Sequence, residues 1–206
     1  MLERSYFTQK CGAHGFYTPS TIGLSSLVSW NHAAETEEDL NEWIKLYLER
    51  TTYEISCPAL RDSSLAPEGK TGVIVSTLID YRLARYMADA GLYDGFKDLC
   101  TRKVIDVLSS SVFPGLSEKI EFALCSTPLT IERETGNSQG AITGWAFTNA
   151  DMPSENRFRK ITRSIKTPIE DVYQCGQWTF SPSGLPVSIL TGKLAADAIS
   201  KKLKRK

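Results

Sequence analysis

The sequence predicts an α/β protein in which a mixed sheet is flanked by helices. Apolar runs of strand length alternate with amphipathic segments of helical period, and glycine and proline separate them. The 206 residues are 41% hydrophobic, which is enough to form a folded core. Periodicity alone leaves open whether the first part is α/β or α+β.

The first third of the chain predicts one helix and two strands. Residues 1–20 are rich in glycine and aromatic residues without a clear period, so we expect an irregular segment. Residues 21–30 are small and apolar and predict a strand. An acidic first turn and apolar residues at helical spacing predict an amphipathic helix over residues 37–50. A brief strand is predicted at 53–58, and proline and glycine predict a turn-rich loop at 61–71.

The middle of the chain carries the clearest patterns. Residues 72–79 are a continuous apolar, β-branched run, which predicts a central, well-covered strand. Helical spacing returns at 81–90 and at 93–110. Proline and glycine within residues 113–116 end the second helix. Residues 119–126 predict a further strand.

The segment that follows predicts shorter elements. Thr127 suits an N-cap and Pro128 suits the first helical position, so a short helix is expected over 127–135. Residues 140–147 predict a strand. Residues 151–166 are polar with several basic side chains and predict a loop.

Charge and cysteine content exclude several functional classes. The 24 basic and 24 acidic residues give a formal net charge of zero, so no nucleic-acid partner is expected. The five cysteines are odd in number and form no Cys-x-x-Cys pair, which indicates reduced, mostly buried thiols in a cytoplasmic protein. Only two histidines are present, at no metal-ligand spacing, so no metal is expected. No apolar run could span a membrane, although peripheral membrane contact stays open.

The most informative segment covers residues 167–197. It predicts a buried strand, a glycine turn, a proline-bracketed loop and a helix of small residues. This arrangement brings backbone N–H groups up to an anionic cofactor. The segment resembles the C-terminal flavin-binding signature of phytoene-desaturase-like FAD oxidoreductases, which include carotenoid isomerases and retinol saturases.

Two earlier segments resemble the same family in the same order. Residues 53–70 contain a strand, a proline and the run Asp-Ser-Ser-Leu-Ala-Pro-Glu-Gly, and residues 130–140 contain a helix and a glycine-rich turn. The resemblance implies FAD as cofactor of the full-length protein and hydride transfer between flavin N5 and a CH–CH bond. It also implies an apolar, isoprenoid-like small-molecule substrate, a carotenoid or retinoid. No catalytic acid or base is identified.

The resemblance also implies cofactor-binding residues. Gly176 and Gln177 match a Gly-acidic pair beside the ribityl and phosphate groups of the cofactor, and glutamine lacks the acidic charge. The segment that begins at Gly184 matches the backbone that approaches the flavin ring at a helix N-terminus. Pro186 has no N–H, so Leu185 or Val187 must supply the donor.

Each of these residues also has a purely structural interpretation. Gly176 and Gly184 are compatible with tight turns alone, and Pro186 is a common residue at the start of a helix. Trp178 and Phe180 are compatible with core packing. The ordered combination of segments, and no single residue, favours the functional interpretation.

The Gly-x-Gly-x-x-Gly fingerprint of the family is absent from the sequence. We therefore expect residues 1–150 to form a substrate-facing lobe and residues 151–206 to form the C-terminal strand, loop and helix of an FAD-binding domain. The N-terminal dinucleotide-binding portion is then needed in cis or in trans, and the chain alone should bind FAD weakly or not at all. The alternatives are a non-catalytic module that binds an apolar ligand and a subunit that completes a flavin site in a partner chain.

Overall fold

The computed structural model describes residues 2–3, 12–20, 22, 27, 36–145 and 154–204. The chain divides into two units, Met1–Thr130 and Ile131–Lys206. The assignment of a substrate-facing lobe to residues 1–150 and of an FAD-binding part to residues 151–206 stays a prediction.

The described residues form a mixed α/β structure, which confirms the predicted class. The helices in the described ranges are α1 (Glu37–Arg50), α2 (Tyr81–Asp89), α3 (Tyr93–Ser109), α4 (Pro128–Thr135), α5 (Ile161–Ser164) and α6 (Leu185–Leu203). The strands in the same ranges are β1 (Leu2–Glu3), β2 (His14–Tyr17), β3 (Tyr53–Ser56), β4 (Lys70–Thr71) and β5 (Ile74–Ser76).

The main sheet has the strand order β2-β3-β5, and a two-stranded ladder joins β1 to β4. The three ladders of the described residues are antiparallel. Within these residues, parallel pairing is limited to an isolated bridge between Glu155 and Phe180. The prediction of a central strand at residues 72–79 is wrong. Only β5 forms there, at the sheet edge, and its Ile74 is 55% exposed. The central strand is β3, in which Tyr53 and Ile55 are buried.

The helices of the first unit form where helical period and capping residues predict them. Thr36 caps α1, because its side chain accepts a hydrogen bond from the Asp39 N–H at 3.1 Å. Thr127 accepts a bond from the Leu129 N–H at 3.2 Å at the start of α4. A buried apolar cluster joins α1, α2 and α3 through Leu40, Ile44, Leu48, Leu83, Ala84, Met87, Phe96 and Cys100.

Helix α3 also contributes to a second cluster, which lies against the sheet. Val107 and Leu108, near the C-terminal end of α3, pack there, whereas Phe96 and Cys100 lie in the first cluster. The Tyr53 hydroxyl donates to the Leu48 carbonyl, and burial raises the pKa of this phenol. The other members of the second cluster are Tyr53, Ile55, Cys57, Phe113 and Leu116.

Several predicted strands do not form in the described residues. Residues 119–126 form no strand, and Phe122 and Leu124 are exposed, because the segment has no neighbouring strand to pair with among the described residues. The described part of 140–147 consists of bends after a short 3-10 turn. The buried strand predicted within residues 167–197 does not form at 172–175. These residues make only one bridge within the described ranges, between Lys166 and Tyr173, and Val172 and Cys175 are exposed.

Three segments hold regular structure where none was predicted. Strands β1 and β4 pair with each other and lie within residues 1–20 and within the predicted loop 61–71. Strand β2 lies within residues 1–20 and pairs with β3 in the sheet. A 3-10 turn, Phe158–Lys160, and α5 lie within residues 151–166. The strand predicted at 21–30 falls almost entirely outside the described residues.

The second unit is built on α6. Helix α5 packs against α6, and a small core contains Ile161, Ile165, Phe180 and Ala195. Its polar members include Thr191, which is fully buried. The end of α5 is joined to the segment before the Gly176 turn because the Gln174 N–H and side-chain amide donate to the carbonyls of Ile165 and Ser164, at 2.9 and 2.7 Å.

Phe96→Ala should lower the free energy of unfolding by about 3–5 kcal/mol, since it removes a buried ring and leaves a cavity among three helices. Leu124→Ala, at an exposed position, is the control and should change it by less than about 0.5 kcal/mol. Urea denaturation followed by circular dichroism measures both. Equal effects of the two substitutions would contradict the packing described for α3.

The four described cysteines form no disulfide and differ in accessibility. Cys57 and Cys100 are buried, Cys125 is half-buried and Cys175 is exposed. Burial, with a smaller contribution from Cys125, raises the pKa of Cys100 to about 12, so its reactive thiolate is scarce at neutral pH.

An alkylating reagent applied to the native protein should therefore modify Cys175 and leave Cys57 and Cys100 intact until denaturant is added. Peptide mass spectrometry identifies the modified positions. In a Cys175→Ser variant the modification at this position is lost, while Cys57 and Cys100 should stay protected. Modification of Cys100 at the rate of Cys175 in the folded chain would be inconsistent with its burial.

Candidate functional site

The structure brings the predicted glycine turn to the first turns of α6. The Gly176 N–H donates to the Thr191 hydroxyl at 3.1 Å, and that hydroxyl donates to the Ser188 carbonyl at 3.0 Å. The Thr179 N–H donates to the Gly176 carbonyl at 3.2 Å and closes the turn. Gly176 and the start of α6 are thus joined through one buried side chain.

The start of α6 leaves backbone donors without acceptors within the helix. Gly184 occupies the N-cap position, Leu185 and Pro186 are the first two helical residues, and no side chain caps this helix. The first intrahelical bond runs from the Ser188 N–H to the Gly184 carbonyl at 2.9 Å. The N–H groups of Leu185 and Val187 therefore have no acceptor within the helix. The sequence predicts that one or the other of these two residues supplies the donor at this point.

Between the turn and α6, the loop contains buried hydroxyl groups without partners. The Ser181 N–H donates to the Glu155 carbonyl at 3.1 Å, beside the bridge between Glu155 and Phe180. The Ser154, Ser181 and Ser183 hydroxyls are buried and have no hydrogen-bond partner in the described part of the chain. A buried hydroxyl without a partner costs about 1–3 kcal/mol, so each is a place where a polar ligand atom would be stabilising.

Gln177 is engaged by its own unit. With its side-chain nitrogen donating to the Ile142 carbonyl at 3.2 Å, its oxygen accepts from the Trp178 indole N–H at 3.2 Å and the Asn137 amide at 3.0 Å. These contacts use the polar atoms of the side chain that occupies the expected acidic position. A contact between Gln177 and a cofactor stays a prediction.

Gly144 and Trp145 also contact the segment that follows Gly176. The Trp145 indole N–H donates to the Trp178 carbonyl at 2.9 Å, and the two rings meet edge to face at 5.1 Å. Gly144 has a φ of 82°, and a Cβ there would lie 2.2 Å from the Gln177 carbonyl oxygen. Only glycine permits this contact between two backbone segments.

Known proteins match nearly the whole chain. It is 24% identical over 208 residues to the 4,4'-diapophytoene desaturase (4,4'-diaponeurosporene-forming) of Staphylococcus aureus strains Newman, N315 and bovine RF122 / ET3-1. The chain is distantly similar to a diapophytoene desaturase. The match covers 95% of this chain and 39% of the relatives, so the chain spans about two fifths of their length. No protein-family model matches the chain.

The similarity agrees at family level with the resemblance to phytoene-desaturase-like enzymes. It does not test individual site residues, so the assignments of Gly176, Gln177 and the start of α6 stay predictions. Among the described residues, no group of three or more His, Cys, Asp or Glu side chains could hold a metal ion. No helix in the described ranges is long and apolar enough to cross a membrane.

The sequence interpretation missed the residues that shape the site. The sequence predicts only a helix of small residues around Thr191, whereas the hydroxyl of this residue joins α6 to the turn. Gly144 was assigned to a strand. Ser181 and Ser183 were part of a loop with no individual role. A hydroxyl residue among small apolar residues in α6 was the one available signal, because it had to find a partner when buried.

Gly144→Ala should lower the free energy of unfolding by more than Gly136→Ala. Gly136 has a φ of 71° and open space where its Cβ would lie, so alanine there costs only the left-handed backbone conformation, about 1–2 kcal/mol. Alanine at 144 adds the collision with the Gln177 carbonyl. Thermal unfolding monitored by tryptophan fluorescence compares the two. Equal losses would show that the backbones do not approach this closely.

Proposed function

We propose that this chain supplies the C-terminal, flavin-facing portion of an FAD-dependent oxidoreductase. The enzyme would act on CH–CH bonds of an apolar, isoprenoid-like substrate of the carotenoid or retinoid class. The observation that carries the proposal is the junction of the Gly176 turn with the start of α6, in a chain that aligns over 95% of its length with a diapophytoene desaturase.

The residues at this junction fit the polar edge of a flavin. The N–H groups of Leu185 and Val187, which have no acceptor within α6, lie at the positive end of the helix, where negative charge on a ligand is stabilised. The Ser181 and Ser183 hydroxyls are buried without partners in the intervening loop, as far as the described residues extend. A Cβ added at Gly176 would meet no described atom within 4 Å, so space is open beside the turn.

When bound, FAD would accept or supply the hydride at its N5 atom. The residues of the chain then have the task of holding and orienting the ring. The donors of Leu185 and Val187 would stabilise the negative charge that develops on the ring, and Gln177 would contribute no charge. This chemistry needs no Ser-His-Asp arrangement, which is consistent with a sequence that contains two histidines.

The adenosine diphosphate half of FAD needs a site outside this sequence. The chain has no Gly-x-Gly-x-x-Gly segment, and the relatives that it matches are considerably longer than the aligned region. We infer that a dinucleotide-binding portion joins this chain in cis or in trans, with residues 1–150 facing the substrate. The proposed location is the cytoplasm, with peripheral contact to the membrane in which such a substrate dissolves.

The purified chain should not bind FAD stoichiometrically, because only one end of the cofactor would have contacts. The visible absorption spectrum after incubation with FAD and gel filtration measures this. Joining the chain to the part of the Staphylococcus aureus relative that the alignment leaves uncovered should produce a protein that retains FAD. Stoichiometric flavin in the isolated chain would contradict the division of the cofactor site.

In the joined protein, Leu185→Pro should weaken FAD binding by about tenfold, the effect of losing one hydrogen bond to a charged group. Proline is tolerated in the first turn of a helix, so the substitution removes the N–H donor and keeps α6. Leu185→Ala is the matched control, since it removes the same exposed side chain and keeps the donor. Flavin fluorescence titration gives the affinities. Equal affinities of the two variants would exclude this donor from the flavin site.

A further inference from the structure

A cleft of about 450 Å³ lies in the first unit, where α1 packs beside α3. Its α1 wall is formed by Glu37, Asn41 and Lys45. The facing wall belongs to α3 and includes Leu99 and Arg102. The volume is within the range of clefts that bind small molecules, about 300–1,000 Å³. None of these residues belongs to the junction proposed to meet the flavin, so the cleft is a separate candidate site.

Two basic side chains line the cleft without a carboxylate partner. Lys45 comes from α1 and Arg102 from α3, and neither forms an ion pair within the described part of the chain. The other two basic residues of α3, Lys97 and Lys103, each pair with a carboxylate. Two cations on facing walls repel each other unless an anion lies between them. Their charge therefore favours an anionic ligand group.

The carboxylate of Glu37 also lines the cleft, but at a distance from these cations. Glu37 lies eight residues before Lys45 on the same helix. The rise of an α-helix places the two positions about 12 Å apart along its axis, which exceeds the Debye length of about 10 Å at 0.1 M ionic strength. The charge of Glu37 therefore does not cancel the attraction of an anion to the other end of the cleft.

The floor of the cleft is apolar. Met87 of α2 and Phe96 of α3 form it, and both belong to the buried cluster that joins the three helices. Leu92 and Leu99 are half-buried and also line the cleft. A molecule with an apolar body would cover this surface and remove it from water, which is favourable. The lining as a whole therefore fits a molecule that combines an anionic group with an apolar body.

Gly95 leaves the cleft open at a position where α3 does not need glycine. It is the third residue of the helix and lines the cleft, and a Cβ there would meet no described atom within 4 Å. Its backbone does not have a positive φ. Glycine within a helix is less stable than alanine. Neither packing nor backbone conformation requires glycine here, so its effect on the structure is to leave space in the cleft.

We propose that this cleft binds a small organic anion with an apolar body, such as a medium-chain carboxylate. The charged group lies between Lys45 and Arg102, and the apolar body lies over Met87 and Phe96 toward Gly95. The inference goes beyond the proposed function, because the site is separate from the flavin junction and its ligand must carry a charge. Binding by the chain without flavin tests it independently of the proposed function.

Fluorescence titration of the full chain with anilinonaphthalene sulfonate, an aromatic anion, tests the chemistry of the site. We expect saturable binding and displacement of the probe by decanoate below its micelle concentration. Decylamine has a chain of the same length with a positive charge and should not displace the probe. Acetate should not displace it either, because it lacks an apolar body. Displacement by decylamine or acetate as effective as that by decanoate would overturn the proposal.

Substitutions of the two cations test their assignment. Lys45→Gln and Arg102→Gln should each raise the dissociation constant of decanoate by about tenfold, the effect of losing a hydrogen bond to a charged group. Arg61→Gln, at an exposed position of the same unit outside the cleft, is the matched control and should leave the constant unchanged. Equal effects of the three substitutions would show non-specific attraction to positive charge and overturn the site.

Gly95→Leu should weaken decanoate binding by about tenfold or more, because the new side chain would occupy the cleft. Its circular dichroism spectrum and melting temperature report whether the chain is folded. Gly192→Leu, at a glycine of α6 with equally open surroundings, is the control and should bind like wild type. Wild-type affinity in a folded Gly95→Leu chain would overturn the proposal. Loss of decanoate binding when the chain is joined to the uncovered part of the Staphylococcus aureus relative would do the same, because that part would then cover the cleft.

Discussion

The candidate site depends on the hydroxyl of Thr191. This group is fully buried and both accepts from Gly176 and donates to Ser188, so its hydrogen-bonding capacity is used on both sides. Because the group is buried away from solvent, loss of either partner would leave a polar group unsatisfied. The position of the glycine turn is therefore set from within α6, which is a long helix, and not by the loop that connects the two. A rigid helix is a better support for a cofactor contact than a loop would be.

In the first unit, helix α3 stabilises the fold because it packs into both apolar clusters. Its N-terminal half packs with α1 and α2, and its C-terminal half packs against β3 and the turn that contains Phe113. The described strands are two to four residues long, so they form few hydrogen bonds between strands. Packing on both parts of α3 therefore joins the two apolar clusters of the first unit, and the sheet is held in place by the helix beside it.

Five of the six described helices, all but α5, were predictable from the sequence because their signals are local. Periodicity and capping residues such as Thr127 and Pro128 lie within the helices that they define. Strands need a partner, which a local pattern does not supply, so residues 119–126 are apolar but form no described strand and β5 lies at an edge. The same reason applies to the site. The start of α6 was predicted, whereas two of the three partners of the Gln177 side chain, Asn137 and Ile142, are distant from it in sequence.

The contact of Gly144 with the Gln177 carbonyl also bears on how relatives of this chain can be recognised. Side chains around a turn can be exchanged if their neighbours adjust, but a contact between two backbones permits no such compensation. Glycine at 144 should therefore change more slowly during evolution than Gln177, whose amide could be replaced together with Asn137. A comparison of related sequences that follows this glycine and the Trp145–Trp178 pair would separate proteins with this local architecture from those that share only the glycines of the flavin signature.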